Sequence, residues 1–165
     1  MLPDRNGFMK GYYYNKLNTV QKNVYDIMSR SFDILADSFR VPLTDSKQLS
    51  DAFIHLKLDN PLLFYVVSFR YRIYPESSTA EILPEYLFDK QKIKEHRKAV
   101  DARIERLARP LQKFSPIEKE KAIHDFILEN VRYDKLKKSY SHEIIGPLGH
   151  GVGVCEGIAK TVKIL

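Results

Sequence analysis

The feature that most constrains this chain is a change of period along it. Between residues 18 and 58 apolar side chains recur at spacings of three and four. In the run LFYVVSFRYRIY, residues 63–74, they alternate, and from Asp89 the helical spacing returns. Spacings of three and four put side chains on one stripe of a helix, whereas alternation puts them on one face of a strand. A chain that switches between the two is neither an all-helical bundle nor a sandwich. The pattern predicts an α+β fold, mostly helical, with one antiparallel β-hairpin around residues 63–86.

The helical stretches carry local start and stop signals. Asn18 is placed as an N-cap with Gln21 as its capping-box partner, opening a helix whose stripe runs through Leu17, Val20, Val24, Ile27, Ser31, Ile34 and Ser38, widened by Met28, Phe32, Leu35 and Phe39. Val41-Pro42 is expected to end it, because the residue before proline avoids the helical region. A second helix is expected over 46–58, with Leu49, Ala52, Phe53 and Leu56 inward, stopped by Asp59-Asn60-Pro61. In the alternating run Tyr65, Val67, Phe69, Tyr71 and Ile73 share one face, and Thr79 to Leu83 is the expected partner strand. A long helix is expected from Asp89 to about Lys113, with Ile93, Val100, Ile104, Leu107 and Leu111 inward and Pro110 shortening its end. Ser115, Pro116 and Glu118 form the clearest helix start in the chain, with Ile123, Phe126, Ile127 and Val131 facing a core. The glycines between Asp134 and Val154 are expected to forbid a regular element there.

Bulk composition narrows the function classes. At 165 residues and 29% charged the chain reads as globular rather than disordered. No run reaches the ~18 apolar residues of a spanning helix, and MLPDRNGFMKGYYYNK has neither the apolar core of a signal peptide nor that of an anchor. The net charge of +6 is spread along the chain. It reads as a solvated surface, and nucleic acid is not an expected partner. With one cysteine, Cys155, there is no disulfide framework and no zinc site, and no cofactor is implied.

The chemically informative text is GHGVGVCEGIAKTVKIL, ending at Leu165. A glycine-rich segment delivers Cys155 to the first turn of an apolar helix, with Ile158, Val162 and Leu165 at helical spacing. Unpaired N–H groups and the helix dipole gather at such a start and favour a thiolate, by ~0.3–1 kcal/mol. That alone does not make a strong nucleophile, which needs an imidazole as well. Gly153 and Gly151 allow close backbone approach, and Gly157 is expected to leave room beside the thiol. Glu156 opposes a thiolate unless it turns away. A small buried hydrophobe is the competing reading of a lone cysteine. Of the histidines, His150 lies five residues before the thiol on an expected flexible loop and is the one placed to swing near it. His142 reads as a loop residue, His124 as a satisfied half-buried one, and His55 and His96 as helix-surface groups.

The stretch EKAIHDFILENVRYD, the loop with Ser141-His142, and GVGVCEGIAKTVKIL together resemble the core of the transglutaminase-like superfamily, a papain-type thiol fold. In that family a helix carrying His-Asp-aromatic, then a Tyr-Asp pair, precede a G-V-C-x-G-[YF]-A motif. Here these are His124-Asp125-Phe126, Tyr133-Asp134 and Gly153 to Ala159, with Ile158 in place of the aromatic. The match covers about residues 118–165, and YYYNKLNTVQKNVYD resembles the helical leader of many bacterial members. The resemblance implies a leader region over 1–114 and the N-terminal part of the core over 115–165. It implies Cys155 as nucleophile in acyl transfer through a thioester, as in cysteine peptidases and transglutaminases, acting on a protein or peptide. The family's His and Asp follow the cysteine by more residues than the ten present here. The expectation is therefore an incomplete core with little turnover alone. The alternative is a non-catalytic interaction module that self-associates through exposed core faces.

Overall fold

The computed structural model describes residues 11–42 and 44–165, so the N-terminal reading over residues 1–10 lies outside the described residues. The chain is α+β and mostly helical, with a three-stranded antiparallel sheet and a separate parallel pair of short strands. It divides into two compact units, the first running to Tyr86 and the second from Leu87 to Leu165.

In the first unit, α1 (Thr19–Asp33) starts as the sequence predicts. The Asn18 side chain accepts from Gln21 N–H while the Gln21 side chain accepts from Asn18 N–H. Its end corrects the expectation. Leu35 takes a left-handed conformation (φ 55°), and Ala36 N–H bonds back to the Ser31 carbonyl at 3.0 Å, which closes the helix as a Schellman-type cap. Phe39 therefore opens strand β1 (Phe39–Pro42) instead of extending the helix, yet its ring still packs on Phe32 at 5.6 Å. α2 (Ser46–Asp59) is capped by Asp45 and buries Leu49, Ala52 and Leu56, while Phe53 is half-buried.

The hairpin forms from β2 (Val66–Ile73) and β3 (Thr79–Tyr86), with Tyr71 opposite Ile82 and Ile73 opposite Ala80. β1 pairs with the far side of β3, giving the order β1-β3-β2. As an edge strand, β1 tolerates Pro42. The expected alternation holds from Ser68 to Ile73 but fails before it. A register shift between Val66 and Ser68 places two residues against one, so Val66 is buried and Val67 exposed. Phe69 packs on Phe53 at 5.2 Å, but Tyr71 and Ile73 are exposed.

In the second unit, α3 (Lys90–Leu111) is capped by Asp89 and ends one residue after Pro110. Only Ile93 and Val100 of its expected core positions are buried; Ile104, Leu107 and Leu111 are half-buried. α3, placed with the leader on sequence, contacts the Gly146–His150 turn within this unit. α4 (Pro116–Asn130) has the predicted capping box, with Ser115 and Glu118 exchanging bonds. It buries no residue fully. Ile123, Phe126, Ile127 and Val131 are half-buried, and Ile117 and Leu128 are exposed. Among the described residues no helix is long and apolar enough to cross a membrane.

The segment 134–154 departs most from expectation, because it supplies much of the unit's core. Ile144, Ile145, Gly146, Pro147, Leu148 and Val154 are buried. Its short elements are a 3-10 turn (Ser139–His142), a single π-type turn (Gly146–His150) and β5 (Val152–Gly153). β5 pairs in parallel with β4 (Arg132–Tyr133). The glycines permit this packing rather than forbidding structure. A Cβ on Gly146 would sit 2.6 Å from the Val152 carbonyl oxygen and 2.8 Å from that of Tyr140. The final helix, α5 (Cys155–Ile164), begins at the predicted residue.

Candidate functional site

Cys155 is the first residue of α5, and it is exposed. Three backbone devices put it there. Arg132 N–H donates to the Gly151 carbonyl (2.9 Å) and Asp134 N–H to that of Gly153 (3.0 Å), tying the approach to β4. Val154 N–H donates to the Ser141 carbonyl at 3.0 Å, fixing the N-cap. Gly151 turns the chain with φ 65°, a conformation that strongly favours glycine. No side chain caps α5, so the donors and positive dipole end of its first turn remain beside the thiol.

The loop beneath this helix start is organised by Asp134. Its buried carboxylate accepts from the Ser141 hydroxyl (2.5 Å) and from the N–H groups of Lys138 and Leu136 (3.0 Å each). The Ser141 bond, then the Lys138 N–H, hold this carboxyl below the usual carboxylate range. Ser141 in turn presents the carbonyl that holds Val154, so Asp134 positions the segment leading to Cys155.

Gly157 does something other than the sequence suggests. The space at its α-carbon is filled by backbone: a Cβ there would meet the Ser141 carbonyl oxygen at 2.2 Å and that of Glu143 at 3.2 Å. Gly157 lets α5 lie directly on residues 141–143 and opens no room beside the thiol. Gly153 is buried against the Pro147 ring, 2.9 Å from a hypothetical Cβ. The buried residues of α5 are Gly157, Lys160 and Thr161, whereas Val162, expected inward, is 45% exposed.

Glu156 is drawn into an ion network. Its carboxylate meets Lys160 Nζ at 2.6 Å and His142 Nδ1 at 3.4 Å. Lys160, almost wholly buried, also reaches Glu143 Oε1 at 3.0 Å and the His142 carbonyl at 3.2 Å. Burial pushes the Glu156 carboxyl up, but Lys160 and His142 outweigh it and hold the carboxyl below its usual range. Lys160 thus partly offsets the negative charge next to the thiol, shared as it is between Glu156 and Glu143. The sequence offered a signal for the Glu156–Lys160 pair, which stand four apart on one helix, but none for Glu143.

Each described histidine has a partner other than the thiol. His150 is exposed, its ring tilted against that of Tyr140 with the centroids 4.4 Å apart. Burial, then the charges of His96 and Lys138, hold its imidazole below the usual range. His142 faces Glu156, and His96 lies on the Phe88 ring at 4.5 Å. His55 Nδ1 is 2.6 Å from the Asp51 carbonyl. His124, expected half-buried, is exposed on α4 with Nδ1 3.3 Å from Asp125, because α4 turns that face outward. The loop carrying His150 is packed, with Pro147 and Leu148 buried. Among the described residues no group of three or more His, Cys, Asp or Glu side chains could hold a metal ion.

Fold and site therefore define a class: an α+β chain that presents an accessible cysteine at an uncapped helix start, entered through a parallel strand pair. No protein-family model matches the chain, and no curated protein sequence matches it significantly.

Proposed function

We propose that the chain is the N-terminal part of a transglutaminase-like, papain-type core and that Cys155 is its acyl-accepting nucleophile. The observation that carries this reading is the exposed sulfur on the first turn of α5, beside free helix-start donors. In acyl transfer the Cys155 thiolate attacks an amide or ester carbonyl carbon. The bond to the leaving amine or alcohol breaks, the leaving group takes a proton, and a thioester remains on the sulfur. Attack by water then gives hydrolysis, and attack by an amine gives cross-linking. A protein or peptide is the substrate class that the motif resemblance implies.

No histidine among the described residues hydrogen-bonds the thiol, so none is engaged with it as a general base in this structure. The chain alone is expected to take up one acyl group and to turn over slowly. Incubation with an activated ester, followed by peptide mass spectrometry, tests this. An acyl adduct on Cys155 that is absent in C155A is the expected result. Acylation confined to lysines, or unchanged total acylation in C155A, would remove Cys155 from the chemistry.

A further inference from the structure

α3, the end of α4 and the Gly146–Gly151 segment enclose an open cleft of about 690 Å³ within the second unit. Ala99 and Ala102 line its α3 side, and their small side chains leave the wall to Arg103 and Arg106. Residues three apart on a helix are surface neighbours, so the two guanidinium groups share one side of the cleft. Asn130 and Leu148 line it from the other elements.

Neither arginine is neutralised. Among the described residues, Arg109 on the same helix pairs with Glu105, whereas Arg103 and Arg106 make no ion pair or hydrogen bond. Arg103 lies over the Phe126 ring at 5.7 Å, and its Nε is shielded from solvent, which leaves the terminal amino groups of the guanidinium as the ones a ligand can reach. The last turn of α4 brings partial negative charge near the cleft, but none of its carbonyls accepts from either guanidinium. Two guanidinium groups without an anionic partner on one wall match best the paired oxygens of a carboxylate or phosphate.

We propose that this cleft binds an oxyanionic group, a carboxylate or a phosphoryl group, on the guanidinium pair of Arg103 and Arg106. The site stands independently of Cys155, which is not among the residues lining the cleft. The aromatic ring under Arg103 restricts its guanidinium, which lowers the ordering cost of binding.

The test is an NMR titration of the full chain carrying isotope-labelled arginine, with inorganic phosphate in one arm and acetate in the other. Saturable shifts of the Arg103 and Arg106 side-chain signals are expected, with affinity falling about tenfold in R106Q. Arg106 is exposed, so R106Q should melt like the parent chain. R106K, which keeps the charge but loses the fork, should show a smaller loss. Saturation by phosphate alone or by acetate alone supports the site and identifies the group. A linear response in both arms, or saturation unchanged in R106Q, overturns it.

Discussion

The two units of this protein are held together differently. In the first, residues 11–86, periodic elements bury large side chains: Val24, Tyr25, Met28 and Phe32 from α1, Leu49 and Leu56 from α2, and Ile82 from β3. In the second, the regular helices bury little; α3 contributes Ile93 and Val100, and α4 nothing fully. Its interior comes instead from Ile144, Ile145, Leu148 and Val154. Around them are backbone contacts at Gly146, Gly153 and Gly157 and two polar centres, Asp134 and Lys160. The first unit rests on apolar volume. The second rests on close backbone approach and paired charge, which is how a chain can hold a reactive side chain at its surface on a rigid base.

Substitutions should separate the two modes. The largest effect is expected from F32A, which empties the space under Phe39 and Phe53 in the first unit. The cost should be about 3–5 kcal/mol, read as lost hydrogen-exchange protection across α1 and α2. Retention of that protection would mean that volume is not what holds this unit. K160M makes the corresponding break in the second unit. It keeps apolar volume but removes the buried ammonium that reaches both Glu143 and Glu156, at an expected cost of about 3 kcal/mol. Protection should fall around residues 141–164. A neutral or stabilising K160M would show that packing, not charge pairing, dominates there too.

The same division explains what could be read from the sequence. Asn18 with Gln21, and Ser115 with Pro116 and Glu118, are signals between residues three apart, and both helix starts formed as read. The hairpin was legible from alternation along neighbouring residues, and the start of α5 from the glycine-rich run before Cys155. The end of α1 was not, because apolar spacing continues through Leu35 to Phe39 while a leucine adopts the left-handed turn that glycine usually takes. The side on which Val67 falls was lost at a bulge that only pairing with Glu85 and Tyr86 reveals. Around the candidate site, Cys155 and its glycines could be picked out, but their partners could not. Gly157 meets residues 141–143, Lys160 meets Glu143, and Asp134 meets Ser141 across a loop; none of these has a period.

The most direct measurement is the alkylation rate of Cys155 by iodoacetamide in native chain and in denaturant-unfolded chain at the same pH. A helix start stabilises negative charge by ~0.3–1 kcal/mol, so native protein should react about two- to fivefold faster. Equal or slower reaction in the native state would contradict a sulfur poised at an open helix start. Acceleration of more than about a hundredfold would contradict the absence of a base beside it.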